Sequence, residues 1–297
     1  MSRDPKWDEI LTPIMNSPEI TSLKKKIKEQ RAVTTVYPKA PDTFEAFNYF
    51  AWDKLKIVIV GAEPYNNESA HGLAFSSNNK LLTTELAIIF EEIHRDIFAA
   101  YPYADCFKDC NLYSWASQGI LLLNATLSVE AGKPGSHKEI GWDYFTTEIL
   151  KSLNDYPAPI VFIFMGKHAE QFAPLITNGT TNFTTLPSSQ IGTYKHLILT
   201  SVYPNKKNKE AFIGSGIFGK ALQFLTEYRT ETQEGFEVTN PETFDIMLTK
   251  IQSEYAKHKY PLIKGALPNK IDIFDRQLMF KYLKNYFPYY SFLNLTT

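Results

Sequence analysis

Four short apolar runs restrict this chain more than any other feature: residues 56–60 (Lys-Ile-Val-Ile-Val), 120–123 (Ile-Leu-Leu-Leu), 160–164 (Ile-Val-Phe-Ile-Phe) and 196–200 (His-Leu-Ile-Leu-Thr). Each is too short for a typical helix. Each is also continuous rather than alternating, so both faces of the strand it forms must be buried. Between the runs the apolar period changes to that of a helix, which predicts helices over about 84–98, 143–154 and 218–228. Residues 6–31 read as helical as well, with Trp7, Ile10, Leu11 and Ile14 at three- and four-residue steps. Buried strands alternating with helices predict an α/β fold, a three-layer α/β/α arrangement around a central four-stranded parallel sheet. In such sheets ligand-binding groups gather at the carboxyl ends of the strands. Gly61 to Glu63, Asn124, Gly166 with Lys167, and Tyr203 all fall at those ends.

Composition narrows the class without choosing a function. With 44% hydrophobic and 21% charged residues over 297 positions, the chain is that of an ordinary globular protein of one large or two smaller domains. A formal net charge of −1 speaks against a strongly basic nucleic-acid coat protein, although DNA binding needs only a local basic stripe. No apolar run is long enough to span a bilayer and the first residues are polar, so a soluble, intracellular protein with no membrane partner is expected. Cys106 and Cys110 offer too few ligands for a metal site and read as reduced structural thiols.

The first motif, Gly61-Ala62-Glu63-Pro64-Tyr65-Asn66, follows the strand at 56–60. Residues 70–76 (Ala-His-Gly-Leu-Ala-Phe-Ser) come shortly after it, and 121–125 (Leu-Leu-Leu-Asn-Ala) further on. Ser136-His137-Lys138-Glu139 precedes Gly141-Trp142, and the last motif reads Tyr203-Pro204-Asn205-Lys206. In order and spacing these resemble family 1 uracil-DNA glycosylases, whose first and last motifs read G-Q-D-P-Y-H and H-P-S-P. The resemblance covers roughly residues 6–228. It implies a substrate of uracil in DNA and no cofactor or metal.

The resemblance also assigns the pocket. An Asn carboxamide carries one donor and one acceptor group, so Asn124 would pair with uracil O4 and N3 together. Phe75 would stack on the base, and Tyr65 would stand against C5 and exclude thymine's methyl group. Ala62 takes the position of the family's Gln, and Asn66 that of its first-motif His. Breaking the glycosidic bond leaves positive charge on the sugar and negative charge on uracil O2, which a carboxylate and a hydrogen-bond donor stabilise. The family supplies Asp and His there; this chain supplies Glu63, one methylene longer, and Tyr203. The loop after Tyr203 lacks the family's apolar wedge and instead carries Lys206, Lys207 and Lys209, which with Lys167 are candidates to hold a nucleic-acid backbone. Without a wedge to push a paired base from its stack, a single strand is the favoured ligand.

Residues 1–228 therefore read as a glycosylase-like domain and residues 229–297 as a C-terminal helical extension. The extension has helix candidates at about 241–259 and 272–287, and its crowded aromatic residues suggest a protein partner or self-association. Taken together, the two catalytic substitutions favour a protein that keeps the pyrimidine pocket with weakened or lost catalysis, a nucleic-acid-binding or scaffold protein. The alternatives are a divergent active glycosylase and an interaction module with a vestigial pocket.

Overall fold

A computed structural model describes residues 3–79, 82–97, 110–182 and 195–232. Helix α1 (Pro5–Met15) starts where the Asp4 carboxylate accepts the Lys6 N–H, and Pro5 occupies the first turn, where no donor is lost. Its Trp7, Leu11 and Ile14 lie on the buried face. Helix α2 (Pro18–Val33) restarts the chain at a Ser17 cap whose Oγ accepts the Ile20 N–H. The single helix expected over 6–31 is thus two, because Ser17-Pro18 caps a new helix more readily than it continues an old one.

Strand β1 (Val36–Tyr37) leads to β2 (Ile57–Gly61), α3 (Thr84–Ile97), the short α4 (Tyr113–Ala116) and β3 (Ile120–Asn124). Then come β4 (Val129–Glu130), α5 (Trp142–Asn154), β5 (Val161–Met165), the one-turn α6 (Lys167–Glu170) and β6 (Gly179–Thr180). Strand β7 (His196–Ser201), the one-turn α7 (Lys209–Phe212) and α8 (Ile217–Thr232) complete the described chain. β1 pairs antiparallel with β4, apart from the main sheet.

The main sheet has the order β3-β2-β5-β7-β6, and all its pairings are parallel. The four predicted strands lie side by side. A fifth, two-residue strand at the edge was not anticipated, because Gly179-Thr180 carries no apolar signal. Every residue of β2, β3 and β5 is buried. Alternate side chains feed two cores. Ile57, Ile59, Leu122, Ile163 and Leu199 face α3 and α8, while Val58, Val60, Leu121, Phe162 and Phe164 face α1, α2 and α5. At about 1.5–3 kcal/mol for each large apolar side chain removed from water, this double burial is what forces the strands to be apolar throughout.

From β2 the chain moves outward to β3; after β5 it moves the other way, toward β7 and β6. The crevice at the carboxyl ends of β2 and β5 is therefore the point where strand order reverses, the usual place for a ligand in an open parallel sheet. No helix of the described residues is long and apolar enough to cross a membrane. The proposed extension and its aromatic cluster, like Cys106, lie outside the described residues, except that α8 runs as far as Thr232.

Candidate active site

Parallel register aligns Gly61 at the end of β2 with Asn124 at the end of β3. The alignment works only because Gly61 has no side chain: a Cβ there would stand 2.8 Å from Asn124 Oδ1 and 3.1 Å from the Phe75 ring. Phe75 and Asn124 come together across this gap. Asn124 is 5% exposed. Phe75 is the one non-glycine of the described residues with positive φ, at 63°. Such a backbone costs about 1–3 kcal/mol, so the surroundings must enforce it. They do so through the Ala74 N–H bonded to Leu122 O at 3.0 Å and the Phe75 carbonyl accepting the Tyr65 hydroxyl at 3.0 Å.

Tyr65 is held a second time, 2.7 Å from the Thr83 hydroxyl, which also accepts the Leu86 N–H at the start of α3. Thr83 was missed as a site residue, although a Thr just ahead of a predicted helix is a recognisable cap. Glu63, Tyr65, His71, Phe75 and Tyr203 line one cleft. Asn124 stands outside this lining and meets Phe75 on the Gly61 side. His71 is buried against Ser76 Oγ at 2.7 Å, and burial lowers its pKa to about 4, so it is neutral at physiological pH. Ala62 is half-buried, and its carbonyl accepts the Thr126 N–H, which fastens the segment after β2 to the segment after β3. The carbonyl of Asn66 accepts the Gly132 N–H.

Glu63 is half-buried at the rim. Both of its carboxylate oxygens lie 2.9 Å from the Gly135 backbone nitrogen and share its hydrogen. Burial raises its pKa, and the Gly135 N–H and the Lys138 ammonium oppose that shift. The Tyr203 ring lies 6.1 Å from that of Phe75, tilted by 36°. Its carbonyl anchors the following turn by accepting the Asn205 N–H and the Asn208 side-chain amide. Burial pushes the phenol's pKa up, so the proton stays on, and the hydroxyl has no partner among the described residues. Lys206 and Lys207 are exposed in that turn and Lys167 is exposed at the start of α6. Lys209 is engaged by Glu91 at 2.7 Å, which offsets its charge.

The sheet order and the cleft over its carboxyl ends are the fold of uracil-DNA glycosylases. The crystal structure of mimivirus uracil-DNA glycosylase superposes with a TM-score of 0.62 at 21% identity, covering 77% of this chain and 84% of that one. The family described as the Uracil DNA glycosylase superfamily matches residues 47–226, and the chain belongs to it. Uracil-DNA glycosylase 1 of Listeria innocua is 37% identical over 224 residues, covering 74% of this chain and 92% of that protein. The uracil-DNA glycosylase of Coxiella burnetii (strain RSA 493) is 36% identical over 233 residues, covering 76% and 92%.

These relatives overturn the expectation of a binding or scaffold protein with lost catalysis. Likeness to named glycosylases over nearly their whole length supports the active alternative. The physical reason is that neither change removes the carboxylate or the hydrogen-bond donor. Glu63 still brings a carboxylate, and Tyr203 still brings a neutral, protonated donor.

Proposed function

We propose that this protein is an active uracil-DNA glycosylase that hydrolyses the bond between uracil N1 and the deoxyribose C1′. One observation carries the reading: the Asn124 carboxamide, on a residue 5% exposed, stands beside the Phe75 ring across the gap that Gly61 leaves. A carboxamide carries one donor and one acceptor group, and that pair beside an aromatic face fits a planar base with a complementary edge. Uracil O4 and N3–H supply that edge.

Phe75 then stacks on the base while Tyr65, fixed through Thr83, stands at C5 against a methyl group. The Glu63 carboxylate faces the sugar, where it stabilises positive charge and orients a water toward C1′. The Tyr203 hydroxyl donates to uracil O2 as negative charge develops there. Water's hydroxyl ends on C1′, its proton leaves to solvent, and the uracil anion departs, leaving an abasic site. The exposed Lys206 and Lys207, with Lys167, pair with backbone phosphates. The turn at Lys206–Asn208 presents no apolar wedge, which favours single-stranded DNA.

The deciding experiment incubates the protein with a single-stranded oligonucleotide carrying one uracil and then applies alkali. Strand cleavage at the uracil is expected, with none for the thymine control. Absence of cleavage above the buffer blank at high enzyme concentration would sink the proposal.

A further inference from the structure

Glu63 is held by a loop from elsewhere in the chain. Its oxygens share the Gly135 N–H at 2.9 Å, and the same loop grips the first motif again where the Gly132 N–H bonds to Asn66 O at 2.9 Å. The loop itself is braced. The Ala131 N–H bonds to Thr35 O at 2.9 Å, and Ser136 Oγ accepts the Glu130 N–H at 2.8 Å. A carboxylate one methylene shorter would stand back by about the length of a C–C bond, roughly 1.5 Å, too far for the 2.9 Å contact. The longer acid and this N–H therefore fit one another.

We propose that the Gly135 backbone N–H is a positioning group for the Glu63 carboxylate, fixing it at the mouth of the cleft. Its catalytic consequence rests on the glycosylase reading above. The other ionisable groups facing Glu63 are Lys138 on the same loop and Tyr65, His71 and Tyr203 in the cleft. The two phenols and His71 are uncharged at neutral pH, because burial moves each away from ionisation. Lys138 and the Gly135 N–H remain to favour the charged carboxylate.

Gly135 has φ of 76°, and a Cβ built there meets nothing within 4 Å. Asn tolerates this backbone and keeps the N–H, whereas Pro can neither adopt it nor donate. The test follows the Glu63 carboxyl by carbon-13 NMR in the full chain, assigned through E63Q, for the unmodified protein, G135N and G135P. The titration in G135N should stay close to that of the unmodified protein, and G135P should titrate at higher pH, because the lost hydrogen bond favoured the ionised form. On uracil-containing single strands, G135P should lose about 100-fold in kcat with KM within about threefold, the scale of an ångström's misplacement. G135N should lose no more than about threefold, and the acid limb of the G135P profile should move upward with the NMR titration. Should G135P not fold, E63D withdraws the carboxylate from the loop, and its upward shift from the ordinary Asp value should exceed that of Glu63. Equal titration in all the proteins overturns the inference, as does a G135N defect as deep as that of G135P. If even the unmodified protein releases no uracil, the glycosylase reading fails, while the NMR comparison still decides the tether.

Discussion

The floor of the cleft and its rim are built differently. On the floor, Phe75 lines the cleft and meets Gly61 and Asn124 just outside that lining, the three locked by sheet register, a strained backbone and close contact. At the rim, Glu63 and Tyr203 are held by loops: Glu63 by one shared backbone N–H, Tyr203 by a turn folded onto its own carbonyl. On the proposed reading a base is read at fixed distances by a pair of hydrogen bonds, so the floor could not vary without losing that ligand. Charge stabilisation at the rim needs the right kind of group at the right place, and a different side chain can reach that place if the loop around it moves too.

The largest test of this contrast removes the rim's charge. Glu63→Gln should lower kcat on uracil-containing single strands by about 1000-fold, since stabilisation of the sugar cation disappears. The same change should raise the melting temperature at neutral pH. Folding raises this carboxyl's pKa, so its contribution to stability is present below the unfolded value and lost as pH rises through the folded one. The variant's advantage should accordingly shrink on acidification and vanish below the ordinary carboxylate range. An unchanged melting temperature at pH 7 would show that burial of Glu63 carries no strain.

Asn124→Ala tests the floor. It should delete the proposed pair of hydrogen bonds to the base, and kcat/KM should fall by roughly 100-fold. A loss confined to kcat, with base affinity intact, would place Asn124 in catalysis rather than in reading. Gly61→Ala should be milder for activity, about 10-fold, and should also cost about 1–3 kcal/mol of stability as the new Cβ pushes against Asn124 and Phe75. Chemical denaturation measures that cost, and a neutral result would mean the floor is softer than its contacts imply. The smallest effect belongs to Lys206→Ala and Lys207→Ala. Each should reduce the slope of log affinity against log salt by about 1 while leaving kcat nearly unchanged. A change in kcat without a change in slope would move these lysines from the DNA backbone to the chemistry.

Much of the floor was legible before any coordinates. The continuous apolar runs at 56–60, 120–123, 160–164 and 196–200 could only be strands buried on both faces, and the motifs at their ends were in reach of one another in any parallel sheet. The edge strand Gly179–Thr180 and the break between α1 and α2 were not legible in the same way. The first pairs through backbone groups alone, and the second depends on one serine capping a helix that periodicity would have continued.

Sequence by itself determined the layered fold and the family, because burial and hydrogen-bonding capacity are properties each residue carries with it. It also read Glu63 and Tyr203 as changes at catalytic positions, and from there it pointed toward lost activity, which the glycosylase relatives overturn. Only the tertiary structure showed that Glu63 reaches a backbone N–H far along the chain, at Gly135, that Tyr203 keeps its proton and an open hydroxyl, and that Lys209 is taken up by Glu91. Those outcomes depend on which distant groups the fold brings within three ångströms or so, and residue order along the chain does not encode that distance.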